Sequence, residues 1–469
     1  MPDKYHISTK PIPPRRPRIG KYGVVDWRED CCRCHNCVKK ACVYDRYREE
    51  MNYVRNLSDV DALFFDCMGC FSCVQECTKG LLSMSVNPAF MRMGNAYWHP
   101  DIIRTTMAQA ETAKIPVSGA GYGGKFSGAG FDSMWTDMSE IVRPTRDGIH
   151  GREYISTSVD IGRKPKYLSF DKDLAAANAP NLTAISLPMI LDIIPIRHGL
   201  ETMDQIRLAA AKNTEVFALV DARNWPLKDV DIDDVKDQLA FYVSAETPLP
   251  PAAAIKKTRL IEIADGPKVL ERIDEVRQIH PQIVVSVRVQ LDNKGPARVR
   301  ELAGEDRIEA IHFAADANGS EIDVKKARHL KDLIREIHLA LIEDGIRDDI
   351  TLIASGGVAL PEHMAKALLC GADLVTIDLP LLIGLECDLC GRCDFGKSCP
   401  AKIPGIKFDY GVGRMTNLIA AWHGQLIEMM GAMGIREARR LRGDVGRAMF
   451  FEELEEQSFG PLFGTRKQA

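Results

Sequence analysis

The sequence has no uninterrupted apolar run of the roughly 18 residues that a membrane-crossing helix needs. Its greasiest stretch, Leu182 to Ile196, is broken by Asp192 and two prolines, so membrane insertion is not expected. A large excess of either charge is also missing, with 61 basic against 65 acidic residues. A formal net charge of −4 over 469 residues leaves no long-range field to draw nucleic acid or an anionic membrane. The N-terminus, MPDKYHISTKPIPPRRPRIG, is basic and proline-rich but lacks the apolar segment of a signal peptide, and a cytoplasmic location is expected. With 45% apolar and 27% charged residues, the chain can build one large core with smaller satellites. Cysteine, by contrast, is abundant. In a reducing compartment, fourteen cysteines are expected to ligate metal or carry redox chemistry rather than pair as disulfides.

Nine of them lie between residues 31 and 77. Cys31, Cys34, Cys37 and Cys42 follow C-x2-C-x2-C-x4-C, and Cys67, Cys70, Cys73 and Cys77 follow C-x2-C-x2-C-x3-C, an internal duplication. Three closely spaced thiolates can hold three corners of a cubane while the fourth cysteine reaches the other cluster, as in two-cluster ferredoxins. This assigns Cys31, Cys34, Cys37 and Cys77 to one 4Fe-4S cluster, and Cys67, Cys70, Cys73 and Cys42 to a second. The segment resembles bacterial-type ferredoxins, with departures. Val43 and Thr78 stand where proline is usual, and the gap before Cys42 is one residue longer. Structural zinc would use paired C-x2-C knuckles rather than repeated triplets. Cys32 and Cys370 read as small buried residues.

Beyond residue 114, β-branched runs alternate with helical patterns. Candidate strands are 115–120, 182–187, 216–220, 259–264, 283–289, 309–314, 351–355 and 373–377, with "FYVSA" at 241–245 as an extra strand-like piece. Apolar strands followed by helices imply a parallel sheet, and this number of units favours a closed (β/α)8 TIM barrel over an open doubly wound sheet. The expected organisation is an N-terminal tail (1–20), a ferredoxin-like domain (21–90), the α/β barrel (115–385), a third iron–sulfur segment (386–404) and a C-terminal helical extension (405–469). Residues 121–180 are long, glycine-rich and carry Arg143, Arg146, His150 and Arg152. They read either as a functional loop over the C-terminal mouth of the barrel or as an exposed insertion.

Gly356 and Gly357 follow the seventh candidate strand, where glycines let backbone N–H groups approach an anion closely. The order "SGGVALPEHMAKALLCGAD", a short strand, then a cysteine cluster ending in Cys399-Pro400 resembles the FMN-binding domain of glutamate synthase. "IPVSGAGYGG", "IEIADGP", "VSVRVQ", "IHFAADANG" and the C-terminal helical stretch extend the resemblance over roughly residues 115–450. The fused ferredoxin segment is similar to that of archaeal-type short glutamate synthases.

The resemblance implies FMN, with the backbone of Ser118, Gly119 and Ala120 against the flavin and Arg288, where the family has lysine, placing positive charge near N1 and C2=O. An arginine paired with a barrel carboxylate is the competing reading of Arg288. It further implies that Gly356 and Gly357, with Asp378 to Gly384, hold the FMN phosphate, and that Asp316, Asn318 and Gly319 lie beside the ring. Cys387, Cys393 and Cys399 match the family's three 3Fe-4S ligands, and the additional Cys390 favours a 4Fe-4S cluster.

No cysteine nucleophile opens the chain and no glutaminase-sized segment is present, so ammonia is expected from another subunit or from solution. At the fourth strand, where the family places a Lys-Pro-Gly-Glu-Gly-Gly segment for 2-oxoglutarate, this chain reads Ala264-Asp-Gly-Pro-Lys-Val-Leu. Two functions are therefore expected to compete. One is hydride transfer from the flavin to an imine of 2-oxoglutarate, giving glutamate. The other is an electron-transfer subunit of a larger redox complex. Expected partners are redox or amidotransferase subunits, a ferredoxin, or an NAD(P)H-oxidising protein.

Overall fold

The computed structural model describes residues 5–16, 19–25, 32, 34, 71–81, 84–115, 128–136, 154–173, 178–195 and 202–464. These fall into two compact units. One comprises Met1–Ile12, Thr106–Leu385 and Lys402–Ala469; the other comprises Pro13–Thr105 and Glu386–Ala401.

The larger unit is built on a closed barrel of eight parallel strands, the TIM-barrel architecture expected from the sequence. In barrel order they are β1 (Met189–Leu191), β2 (Phe217–Asp221), β3 (Leu239–Val243), β4 (Leu260–Ala264), β5 (Val284–Gln290), β6 (Ala310–Ala314), β7 (Thr351–Ser355) and β8 (Leu374–Ile377). Closure comes from β8 pairing with β1 in the register Val375↔Met189 and Ile377↔Leu191. Burial on both faces explains why β2 and β7 are covered along their whole length and why strands of this kind read as apolar runs.

Amphipathic helices cover the outside. Leu330–Glu343 directs Leu333, Ile334, Ile337 and Leu341 inward at the spacing expected of one helical face. Pro361–Cys370 opens with proline at its first position, where the missing N–H is not needed, and ends at Gly371, whose positive φ (124°) completes the cap. Cys370 is buried as expected, its thiol against Met134.

Two strand expectations are corrected. Leu182–Ile185 lies outside the barrel and pairs antiparallel with Val159–Gly162, while the "FYVSA" segment supplies β3. Periodicity finds a strand but does not say which partner it takes. The candidate strand 115–120 lies outside the described residues.

The Val159–Ile185 hairpin also corrects half of the loop expectation. Gly162 bonds through both N (3.0 Å) and O (2.8 Å) to the Thr351 hydroxyl at the start of β7. Lys164 N donates to Asp349 O (2.7 Å), and Arg163 Nε to Ile308 O (2.8 Å) just before β6. This hairpin therefore closes the N-terminal end of the barrel, opposite the mouth. Arg143, Arg146, His150 and Arg152 lie outside the described residues.

The long helix Phe408–Met433 packs against the helix Met203–Thr214 and buries Arg414 and Asn417. Arg414 donates to the carbonyls of Gly384, Ile12 and Met107, and Asn417 to those of Lys10, Ala110 and Glu111. The buried cation is thus satisfied by carbonyl dipoles. No helix among the described residues is long and apolar enough to cross a membrane.

In the smaller unit, Tyr22–Val25, ahead of the first cysteine run, pairs antiparallel with Met84–Val86, beyond the second. Its core includes Phe90, Met93, Trp98, Ile102 and Ile103.

Candidate functional site at the barrel mouth

The interior of the barrel carries a charged network that begins on β4 and β5. Adjacent parallel strands set Ser286 beside Glu262 and Arg288 beside His312. Arg288 donates through Nε to Glu262 (2.6 Å) and through Nη2 to Asp192 (2.7 Å), the residue just after β1. Because β1 lies across the barrel from β5, this pair of bonds spans the interior. Glu262 Oε2 lies 2.8 Å from His312 Nδ1. Asp192 also accepts from the Thr376 hydroxyl (2.9 Å) and the Ile193 N–H (2.7 Å). The Arg288 guanidinium lies 4.8 Å from the centroid of the Tyr242 ring.

The electrostatics follow from burial and pairing. Burial pushes the Asp192 carboxyl up, but Arg288, His312 and the hydrogen bonds outweigh it and hold the pKa at about 2. Glu262 is lowered for the same reasons, against burial. Arg288 is raised, the two carboxylates overcoming desolvation. Asp378 moves the other way, up to about 6, through burial and then the negative charge of Asp192. His312 Nε2 is buried without a hydrogen-bond partner.

At the mouth, Gly356 (φ 99°) and Gly357 (φ 66°) turn the chain out of β7. A Cβ on Gly356 would come 2.5 Å from Asp316 O, and one on Gly357 2.6 Å from Gly319 N. Bare backbone is thus required for the β6 and β7 loops to touch. Asp316 Oδ1 accepts the N–H groups of Asn318 (2.8 Å) and Ser320 (2.7 Å), and its carbonyl accepts that of Gly319 (2.9 Å). Asp316 therefore shapes its own turn.

The structure brings Gly356, Gly357, Asp316, Asn318 and Gly319 together. Gly384 lies elsewhere: a Cβ there would meet Leu418 (3.3 Å) and Ala110 (3.4 Å), and its carbonyl is held by Arg414. Asp378 uses its carboxylate to cap Leu379 N–H (2.5 Å). Ser118, Gly119 and Ala120 lie outside the described residues. Asp192, Glu262, His312 and Tyr242 were missed by sequence reading. A signal existed: a carboxylate and an imidazole sit mid-strand in the buried runs LIEIA and AIHFA.

Of the cysteines, Cys31, Cys37, Cys42, Cys67 and Cys70 lie outside the described residues. Cys32, Cys34, Cys73, Cys77, Cys387, Cys390, Cys393 and Cys399 are free of disulfides, and Cys32 is exposed rather than buried. Leu81 N–H donates to the Cys77 sulfur (3.3 Å). Burial, with Cys399, Asp388 and Cys390 nearby, pushes the Cys387 thiol up to about 12 against a hydrogen bond from the Leu389 backbone. Among the described residues, no three His, Cys, Asp or Glu side chains are grouped to hold a single metal ion. The donor chemistry of the segment, four disulfide-free thiols on a loop wound by positive φ at Leu389, Gly391 and Gly396, fits an iron–sulfur cluster.

Residues 250–436 match the family described as "conserved region in glutamate synthase". An archaeal-type glutamate synthase (NADPH) from Dehalococcoides mccartyi is 24% identical, covering 90% of this chain and 93% of that protein. An archaeal glutamate synthase (NADPH) from Archaeoglobus fulgidus is 23% identical over 90% and 92%. The chain is thus similar to glutamate synthases over most of its length. Solved structures similar in part include a mandelate oxidase mutant (13% identity, 66% of this chain and 97% of that one, TM-score 0.39) and a flavocytochrome b2 mutant (10%, 70% and 85%, TM-score 0.40). The family match runs from before β4 to the end of the helix Phe408–Met433, so it includes Arg288, the Gly356–Gly357 turn and the last four cysteines.

Proposed function

We propose that the chain is an FMN-dependent iron–sulfur oxidoreductase of the glutamate synthase type, drawing electrons through cysteine-bound clusters and reducing an imine of 2-oxoglutarate to glutamate. The observation that carries this reading is the similarity to archaeal-type glutamate synthases over 90% of the chain. Bound at the mouth, FMN would supply the conversion of single electrons into a hydride.

The protein's share is binding and orientation. Gly356 and Gly357 offer bare backbone to the phosphate. The arm from Asp378 to Gly384 fits a phosphate poorly, since the Asp378 carboxylate takes the Leu379 N–H and adds negative charge. The backbone of Ser118, Gly119 and Ala120 is proposed to lie against the ring. Arg288 brings the cation expected beside it, but Asp192 and Glu262 leave that trio with one net negative charge when all three are ionised.

The same pairing favours a second reading, an electron-transfer subunit with no amino-acid substrate. At the mouth, Arg223 is paired with Asp221 (2.6 Å), Arg288 with Asp192 and Glu262, and Arg298 with Asp265 (2.8 Å). A dicarboxylate would have to compete with these carboxylates. The partners proposed are a ferredoxin or NAD(P)H-oxidising protein as electron donor and an ammonia-supplying subunit, in the cytoplasm.

The deciding experiment reduces the purified protein anaerobically and adds 2-oxoglutarate with ammonium. The first reading expects the oxidised flavin absorbance to return as glutamate forms. A flavin that stays reduced, with no glutamate, selects the electron-transfer reading.

A further inference from the structure

We propose that Arg15 and Arg16 are positioning residues for an iron–sulfur cluster held by Cys387, Cys390, Cys393 and Cys399, clamping both ends of that loop and cancelling two buried carboxylates beside its first thiol. The inference rests on the assignment of these cysteines to a cluster.

The two arginines sit in the proline-flanked stretch PPRRPR, where fixed φ angles reduce the entropy lost on docking. Arg15 reaches both ends of the loop. Its N (2.8 Å) and Nε (3.1 Å) donate to Glu386, and its Nη2 donates to Ala401 O (2.7 Å). Arg16 holds the next carboxylate as a fork, Nη1 to Asp388 Oδ2 (2.7 Å) and Nη2 to Asp388 Oδ1, while Nη2 also donates to Glu386 O (2.6 Å). Behind the loop, Gly94 N donates to Asp388 O (2.9 Å).

Glu386 and Asp388 flank Cys387 and are only 2% and 8% exposed. Buried carboxylates need partners, and here they get one guanidinium each. Thiolate-ligated clusters are anionic, so two uncompensated carboxylates next to a ligand would weaken ligation and make the cluster harder to reduce. With both arginines in place the four charges sum to zero. Two acids therefore bracket a ligand without opposing it, and a tail with no other evident chemistry becomes part of the redox site.

The test uses the full chain, purified anaerobically, with iron quantitation and a redox titration followed by EPR. The wild type is expected to hold about twelve irons per chain, three clusters of four. Arg16→Gln is expected to lower the midpoint of the third cluster, or to shed it so that iron falls to about eight, while the ferredoxin-type signals stay unchanged. Arg16→Lys should stay near the wild-type midpoint. The double variant Arg16→Gln with Asp388→Asn, which removes both members of the pair, should restore the midpoint or the iron.

Arg16→Gln with full iron and an unmoved midpoint would overturn the proposal, as would a double variant no better than Arg16→Gln alone. Arg15→Gln should lose this cluster to a chelator several-fold faster than wild type; equal rates would overturn its part in the clamp. A wild-type protein with only about eight irons would instead overturn the cluster assignment itself, before any variant is compared.

Discussion

Replacing Arg288 with methionine removes a guanidinium that two buried carboxylates share. Asp192 and Glu262 are 6% and 1% exposed. Without Arg288, Asp192 keeps Thr376 and the Ile193 N–H, while Glu262 keeps His312 and a long contact to Ser286 (3.5 Å). Removing one partner of a buried ion pair costs about 3–5 kcal/mol, because a charge is stranded. That is a large share of the roughly 5–15 kcal/mol that holds a typical domain together. Thermal unfolding of Arg288→Met should therefore fall by on the order of 5–10 °C.

The pH dependence carries the sharper test. In the wild type, Asp192 at about 2 lies below its unfolded value, so its contribution is complete at neutral pH and is lost as pH falls through about 2. Without Arg288, burial is left without its main counterweight, and the folded pKa should rise above the unfolded one. The variant's deficit then grows as pH rises past about 4. Denaturant titrations at pH 5 and pH 8 should show the larger deficit at pH 8, and adding Asp192→Asn should recover part of it there. A deficit that is equal at both pH values, or below about 1 kcal/mol, would refute the account of Arg288 as a charge-balancing strut.

Two further outcomes are expected. Gly357→Ala puts a Cβ 2.6 Å from Gly319 N at a φ of 66°; left-handed backbone alone costs roughly 1–2 kcal/mol, so stability and bound flavin, read by melting and by absorbance after desalting, should both fall. Asp378→Asn should raise the melting temperature at pH 8, about half as much at pH 5, and little at pH 3.5. A carboxyl raised to about 6 destabilises the fold progressively as pH rises from its unfolded value near 4 to that value, by up to ~3 kcal/mol in all, and asparagine caps a helix as well as aspartate. Equal effects at the three pH values would contradict the raised pKa.

Much of the barrel was legible because β4 to β8 are apolar runs of four to seven residues separated by helical patterns. β1 was not. Met189–Leu191 is only three residues long and follows Pro188, whereas the nearby Leu182–Ile185 looks the better strand and is one, in the hairpin that closes the opposite end. The glycine turn after β7 was readable from residue type and position. The partners of Arg288 were not, lying 26 and 96 residues away along the chain.

Alone, the sequence determined what depends on short separations: the cysteine triplets, the strand–helix alternation, and the bare backbone at Gly356–Gly357. These are set by covalent spacing and by the periods of helix and strand, which hold wherever the segment ends up. Only the tertiary structure decided that Arg288 balances two carboxylates across the barrel, that Val159–Ile185 closes its N-terminal end, and that Arg15 and Arg16 grip the last cysteine loop. Each of those contacts joins side chains or strand edges far apart in sequence. Their pairing is settled by the position and direction each segment takes when the sheet closes and the chain packs.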